Sequence, residues 1–276
     1  MWLDTIIAGI SIAISSLTCI LGVLVNGSFT IIILINKQLQ SQNTNVLMAC
    51  LSACDLLTNL VAQPLFILLL IDDLTGTVHM DWDTCGSIFT FIAGSSLCIL
   101  TVLNVDRAVA FVFPLYYKVH FTQRRLLFAV LVTLPVPWLR LAIMSESLTV
   151  MRVMCALLLM ILLICTVLIC ISLRKSVSSQ NLANATQATR LRLVQKKCTK
   201  TVLGLMALQF ILYVPSIIFL SPLDSLWMFR PLAATLIFSN SFLNSSLYVV
   251  RNNELTRQYA RILRTKHSNA VLPRNQ

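Results

Sequence analysis

The stretch LMACLSACDLLTNLVAQPLFILLLI, Leu47 to Ile71, decides the fold. As a helix it is long enough to cross the roughly 30 Å hydrocarbon core of a bilayer. A single carboxylate, Asp55, interrupts it. An ionised Asp at mid-span costs about 2.5–3.5 kcal/mol on insertion scales, so it is tolerated only where it faces polar groups, water or an ion inside a bundle. The plainest reading is a protonated Asp stapling two helices. The functional reading is a centre that handles an ion or a proton. Everything else in the chain bears on what surrounds Asp55.

The composition points to a membrane protein. Of 276 residues, 57% are hydrophobic and 11% charged, against about 25% charged in soluble domains. Seven apolar spans are expected: Ile6–Asn36, Asn45–Ile71, Thr84–Phe113, Leu126–Met144, Val150–Leu173, Thr199–Leu220 and Leu226–Val250. The first is too long for a signal-peptide core and reads as an uncleaved membrane helix. With the N-terminus outside, every Lys and Arg except Arg140, Arg152 and Arg230 falls on the cytoplasmic side. The positive-inside rule therefore fixes the orientation as N-terminus out and C-terminus in. The net charge of +11 is accounted for by this asymmetry, without nucleic acid as a partner. The outer loops carry acid instead, with Asp72, Asp73, Asp81 and Asp83 all between the second and third spans. They read either as solvated loop charge or as a vestibule for cations. Asn184-Ala185-Thr186 fits the glycosylation motif but lies on the cytoplasmic side.

Beyond the seventh span, residues 252–263 bring Leu255, Tyr259, Ile262 and Leu263 to one helical face, with Arg257, Arg261 and Arg264 around the rest. This is the pattern of a short amphipathic helix lying on an anionic inner leaflet, with membrane lipid as its partner. Residues 1–264 form one domain, and 265–276 read as a disordered cytoplasmic tail. Neither the nine cysteines nor the three histidines show metal-ligand spacing, and no Ser/His/Asp set or phosphate loop is present in the sequence. An enzyme is not expected.

Several landmarks recur in order along the spans. The first span carries Gly22-Val23-Leu24-Val25-Asn26-Gly27 and the second Leu51-Ser52-Ala53-Cys54-Asp55-Leu56. The third ends in Asp106-Arg107-Ala108, followed by Pro114-Leu115-Tyr116-Tyr117; the sixth has Tyr213-Val214-Pro215, and the seventh ends Asn244-Ser245-Ser246-Leu247-Tyr248. In this sequence of motifs the whole chain resembles the rhodopsin-like (class A) G-protein-coupled receptors. The resemblance implies an all-α membrane protein, a seven-transmembrane helix bundle, in the plasma membrane. It would bind an extracellular ligand in its outer half and activate a heterotrimeric G protein by helix rearrangement.

The departures from the family pattern are specific. Ala108 replaces the tyrosine after Arg107, Ser245 the proline of the seventh-span motif, and Tyr213 the tryptophan before Pro215. The fifth span contains no proline, and the seventh has no lysine for retinal. Phe89 stands where amine receptors carry an Asp. A very short second outer loop is similar to the melanocortin-, cannabinoid- and adenosine-related branch, and a divergent chemosensory receptor fits as well.

The resemblance also implies site residues. Asn240, Asn244 and Tyr248 recur at i, i+4 and i+8, so they share one face that should turn inward. By the family's pattern Asp55, Ser96, Asn240, Ser241 and Asn244 would form a hydrated pocket for a sodium ion, and hard oxygen donors suit such a cation. Asp106, Arg107, Tyr213, Pro215 and Tyr248 would act as the activation switch, with Pro215 kinking the sixth helix. Phe66, Phe89, Tyr213 and Phe238 are the candidate ligand contacts in an aromatic pocket. Cys85 and Cys155 are the candidate outer disulfide, although Cys85 is displaced by nearly a turn from the family's usual position. The rival from another class is a small transporter or proton-coupled channel with Asp55 as relay acid.

Overall fold

A computed structural model describes residues 2–76, 82–135, 148–179, 203–204, 206–215, 218, 228–251 and 255–258. Among them the chain is almost wholly helical. In chain order the elements are α1 (Trp2–Ile35), α2 (Lys37–Gln40), α3 (Asn43–Leu57), a π-helical turn (Thr58–Ala62), α4 (Gln63–Thr75), α5 (Trp82–Val112), α6 (Pro114–His120), α7 (Gln123–Thr133), α8 (Leu148–Ser179), α9 (Met206–Pro215) and α10 (Arg230–Arg251). Among the described residues three helices are long and apolar enough to cross a membrane: Trp2–Ile35, Asn43–Thr75 and Cys85–Val112. Shorter apolar helices run over Ala156–Ser172 and Met206–Pro215. The outer part of the expected fourth span, most of the stretch before α9, the remainder of the amphipathic 252–263 segment and the 265–276 tail lie outside the described residues.

The distribution of side chains is inverted relative to a soluble protein. On α1, Ile10, Ile14, Leu17, Ile20, Leu24, Ile31 and Leu34 are exposed, while Ser11, Ser15 and Asn26 have no accessible surface. The helix formed by α3, the π-turn and α4 repeats the pattern: Leu57, Leu60 and Leu68 face out, whereas Asn45, Ser52, Asp55, Asn59 and Gln63 are fully buried. Water would never select that arrangement, since it leaves large apolar surface wet and polar groups desolvated. Lipid does select it, because only the protein interior offers hydrogen-bond partners.

Local chemistry sets the breaks. Asn36 caps α2, its side chain accepting from the backbone N–H groups of Gln38 and Leu39. The Gln40 amide turns back to donate to the carbonyls of Ile33 and Leu34, two of the groups left open at the end of α1. The π-turn was not anticipated from the sequence. Pro64 follows it directly and lacks an N–H; its ring would also collide with the carbonyl four residues back. The backbone widens instead, and the Gln63 N–H reaches Thr58, five residues back. Gly76, at φ +66°, closes α4 in the left-handed conformation that glycine adopts without penalty.

Packing draws the helices around one polar axis. α10 lies against α1, α1 against α3, and α5 against α8. Around the C-terminal ends of α1 and α10, Phe29, Ile33, Met48, Leu51, Leu100, Leu103, Tyr248 and Leu255 share one apolar cluster. Leu255, from the segment that follows α10, is fully buried in it. α10 itself runs unbroken through Ser245, where a proline would have removed a backbone hydrogen bond.

Close approach of α1 to the π-turn needs a glycine at one position. A Cβ on Gly22 would coincide with the carboxamide of Asn59, whose Nδ2 is already donating to the Asp55 carbonyl at 2.7 Å. On Gly27 it would find only Leu56 Cδ1 at 3.9 Å. Gly22→Ala should therefore destabilise the chain by about 1–3 kcal/mol, the usual range for overpacking, and Gly27→Ala should be tolerated. Melting midpoints of the two purified variants check this; equal midpoints would refute the contact.

Candidate functional site

Two polar centres occupy the bundle, and they share α3 and α5. The first is built around Asp55, which has no exposed surface. Ser96 on α5 donates a 2.8 Å hydrogen bond to Asp55 Oδ1. Ser241 and Asn244 on α10 also come close enough to act on the carboxylate, although Asn244 lacks hydrogen-bond geometry to it. Three helices thus bring the expected side chains to one point. Asn240 stands slightly apart: its Nδ2 reaches the Tyr213 hydroxyl at 3.5 Å. Asp55 Oδ2, Asn240 Oδ1 and Asn244 Oδ1 have no partner among protein groups. Such a set of unmatched oxygens is suited to a small hard cation or to ordered water. Among the described residues no cluster of three or more His, Cys, Asp and Glu could hold a metal, so any cation here would rest on one carboxylate with amide and hydroxyl oxygens.

Beneath Asp55 lies a layer that sequence reasoning did not foresee in full. Asn26 Nδ2 donates to the Ser241 carbonyl at 3.1 Å, and the Ser52 hydroxyl donates to Asn26. Ser245 lies 3.4 Å from Ser52, hydroxyl to hydroxyl. The serine that departs from the family pattern therefore sits in a junction of α1, α3 and α10. One turn further in, Tyr248 donates to Asn45 Oδ1 at 2.8 Å and packs edge-on against Phe29. The recurrence of Asn244 and Tyr248 revealed their common face, but Asn45, the partner of Tyr248 on α3, carries no signal in the sequence.

The second centre is near the C-terminal end of α5. Arg107 donates through Nε to Asp106 Oδ2 at 2.9 Å and through a terminal nitrogen at 2.5 Å. Asp106 is fully buried and Arg107 partly so. The other carboxylate oxygen accepts from the Tyr117 hydroxyl at 2.8 Å, and Asn43 Nδ2 donates to the same hydroxyl at 3.1 Å. Asn43 also donates to the Phe121 carbonyl, and Phe121 stacks on Tyr117 at 5.0 Å. The ion pair is thereby clamped to α6 and to the start of α3. Tyr117 belongs to the Pro-Leu-Tyr-Tyr stretch, but nothing in the sequence distinguished it from Tyr116, which is exposed.

The four candidate ligand contacts divide into two groups. Phe66, Phe89 and Phe238 pack on one another with ring centroids 5.2–6.0 Å apart. Phe66 and Phe238 are buried in that cluster, so the three rings fill their space rather than line an open pocket. Tyr213 belongs instead to a cluster with Leu97, Leu159 and Leu162. Pro215 is half-buried at the end of α9. Cys85 is buried near the start of α5, and the Cys155 side chain lies outside the described residues. A groove of about 320 Å³ opens between α1 and the π-turn, lined by Cys19, Ile20, Val23, Leu24, Asn59, Leu60 and Pro64.

No protein-family model matches this sequence, and no curated protein matches it either.

The phenol of Tyr117 sets a pH dependence. Burial raises it above its ordinary value of 10.0, the Asn43 hydrogen bond lowers it, and the Asp106 charge adds to the rise, with a net upward shift. It is therefore a protonated donor at neutral pH. Its contribution should be complete below pH 10 and lost as pH climbs through the raised value. Tyr117→Phe should cost about 1.5–3 kcal/mol at neutral pH, as for a hydrogen bond to a charged group. The difference from wild type should vanish in strongly alkaline buffer. Paired thermal melts at neutral and alkaline pH measure it, and a cost that persists in alkali would contradict the assignment.

Proposed function

We propose that the chain is a seven-transmembrane receptor of the rhodopsin-like kind, in the plasma membrane with its N-terminus outside. An extracellular ligand bound in the outer half would shift the balance between two helix packings, and the active packing would engage a heterotrimeric G protein at the inner face. The observation that carries this reading is that one bundle holds both a buried Asp55 shell and a clamped Asp106–Arg107 pair at the inner end of the same α5 that supplies Ser96. A relay acid alone would explain Asp55 in a transporter or proton-coupled channel. It gives no role to an arginine held by Asp106 while Asp106 is held by Tyr117 and Asn43.

Each residue has a definite task in this mechanism. Asp55 with Ser96, Asn240, Ser241 and Asn244 would bind sodium in the resting packing, joining α3, α5 and α10 and resisting their rearrangement. Arg107 would be withheld from the cytoplasm by Asp106 until α9 moves outward, then meet the G protein. Tyr248, held by Asn45 in the resting packing, would be released in the same movement. The basic segment between α8 and α9 would supply further charge for the G protein. The ligand would enter above the Phe66–Phe89–Phe238 cluster, which forms its floor.

Two substitutions test the two centres. Arg107→Ala should abolish nucleotide exchange on a co-expressed G protein while surface expression persists; undiminished exchange would count against the receptor mechanism. Asp55→Asn should remove any sodium dependence of basal signalling, and a sodium effect that survives would sink the pocket assignment. Ion-driven uptake of a solute into vesicles without nucleotide exchange would favour the transporter.

A further inference from the structure

Gln209 is the least explained polar residue in the bundle. It lies on α9, has no exposed surface, and neither Nε2 nor Oε1 has a hydrogen-bond partner among protein groups. A buried carboxamide left in that state costs about 1–3 kcal/mol for each unmatched group. Natural interiors rarely contain one without a reason. Its helical neighbours define its surroundings. Met206, one turn inward, packs with Ala108, Cys165 and Ile169, while Tyr213, one turn outward, packs with Leu97, Leu159 and Leu162. Both clusters are built mainly from apolar side chains.

An unmatched carboxamide of matching chemistry lies on α10. Tyr213 meets Asn240 across the α9–α10 gap, hydroxyl to carboxamide at 3.5 Å. The two helices run in opposite directions in the receptor topology, so one turn inward on α9 corresponds to one turn inward on α10. That step leads from Tyr213 to Gln209 and from Asn240 to Asn244. Asn244 is likewise fully buried, and neither its Nδ2 nor its Oδ1 has a hydrogen-bond partner. Two carboxamides, each with an open donor end and an open acceptor end, therefore stand at the same level on facing helices.

We propose that Gln209 and Asn244 form a water-bridged polar joint between α9 and α10. Each amide supplies one donor and one acceptor, which meets the two to four polar contacts that a buried water requires. Asn244 can turn one end to the Asp55 shell and the other to the joint, so the joint extends the polar interior from α10 to α9. This extension does not depend on which ion or signal the chain handles. It does rest on the receptor topology proposed above for the antiparallel run of α9 and α10, with the Tyr213–Asn240 contact setting their register.

A double-mutant cycle on the full-length chain, purified in detergent, tests the joint. Gln209→Met and Asn244→Leu each remove one amide at similar size and leave the other stranded, so each should lower the melting midpoint. The double variant removes both stranded groups, and its midpoint should fall by clearly less than the two single shifts added together. Additive shifts would overturn the proposal. Should Asn244→Leu fail to fold, a second measurement decides: radiolytic hydroxyl-radical labelling of Tyr213, which is only 4% exposed. A bridging water beside it should make labelling rapid in wild type and at least several-fold slower in Gln209→Met. Unchanged labelling would equally overturn the joint, while the effects of Arg107→Ala on exchange would be untouched by either result.

Discussion

A carboxylate inside hydrocarbon has no solvent to turn to, and this one constraint governs the structure. Asp55 must face inward, and whatever it faces must supply polar atoms. Ser96 meets one oxygen directly. Once helices α3, α5 and α10 are drawn together at that point, the remaining polar residues fall into the same column. Asn26, Ser52, Ser241 and Ser245 form a layer below it, and Asn45 with Tyr248 another. The apolar exterior follows from the same rule, since the faces of α1 and α3 left over are the ones that meet lipid.

The inner centre obeys a different balance. Asp106 is buried but not alone, because Arg107 and Tyr117 occupy both of its oxygens. A buried ion pair contributes little net stability once desolvation is subtracted, whereas removing one member is costly. Such an arrangement is more useful as a latch than as a staple. Its strength depends on the geometry of α6, which brings Tyr117 up against the end of α5.

Much of this was legible in the sequence because membrane burial writes a simple code. Polar residues at helical spacing within apolar runs mark an interior face, and Asn240, Asn244 and Tyr248 could be grouped on that basis alone. Asp55 and Ser96 were paired by resemblance, and the structure brings them together. Partner choice was much less readable. Asn45 finds its partner where α3 meets α10, and Asn43 and Tyr117 find each other where α3 meets α6; pairing between distant segments leaves no periodic trace. The π-turn was hidden for another reason: Pro64 announces a disturbance, but whether a helix kinks or widens is settled by neighbours such as Gly22. The aromatic residues were chosen for type and depth, and those two properties do not separate rings that line a space from rings that fill it.

The unbroken backbone of α10 has a mechanical consequence. With Ser245 in place of an imino acid, every peptide unit from Arg230 to Arg251 belongs to one continuous helix, which resists bending at its middle. Asn240, Asn244 and Tyr248 are then fixed points on one rigid rod, and a twist of that rod displaces all three by the same angle. The Asn240–Tyr213 and Tyr248–Asn45 hydrogen bonds, and the approach of Asn244 to Asp55, would be gained or lost as a set. A hinged helix could release them one after another and so respond in graded steps, whereas a rigid one couples them into a single concerted transition.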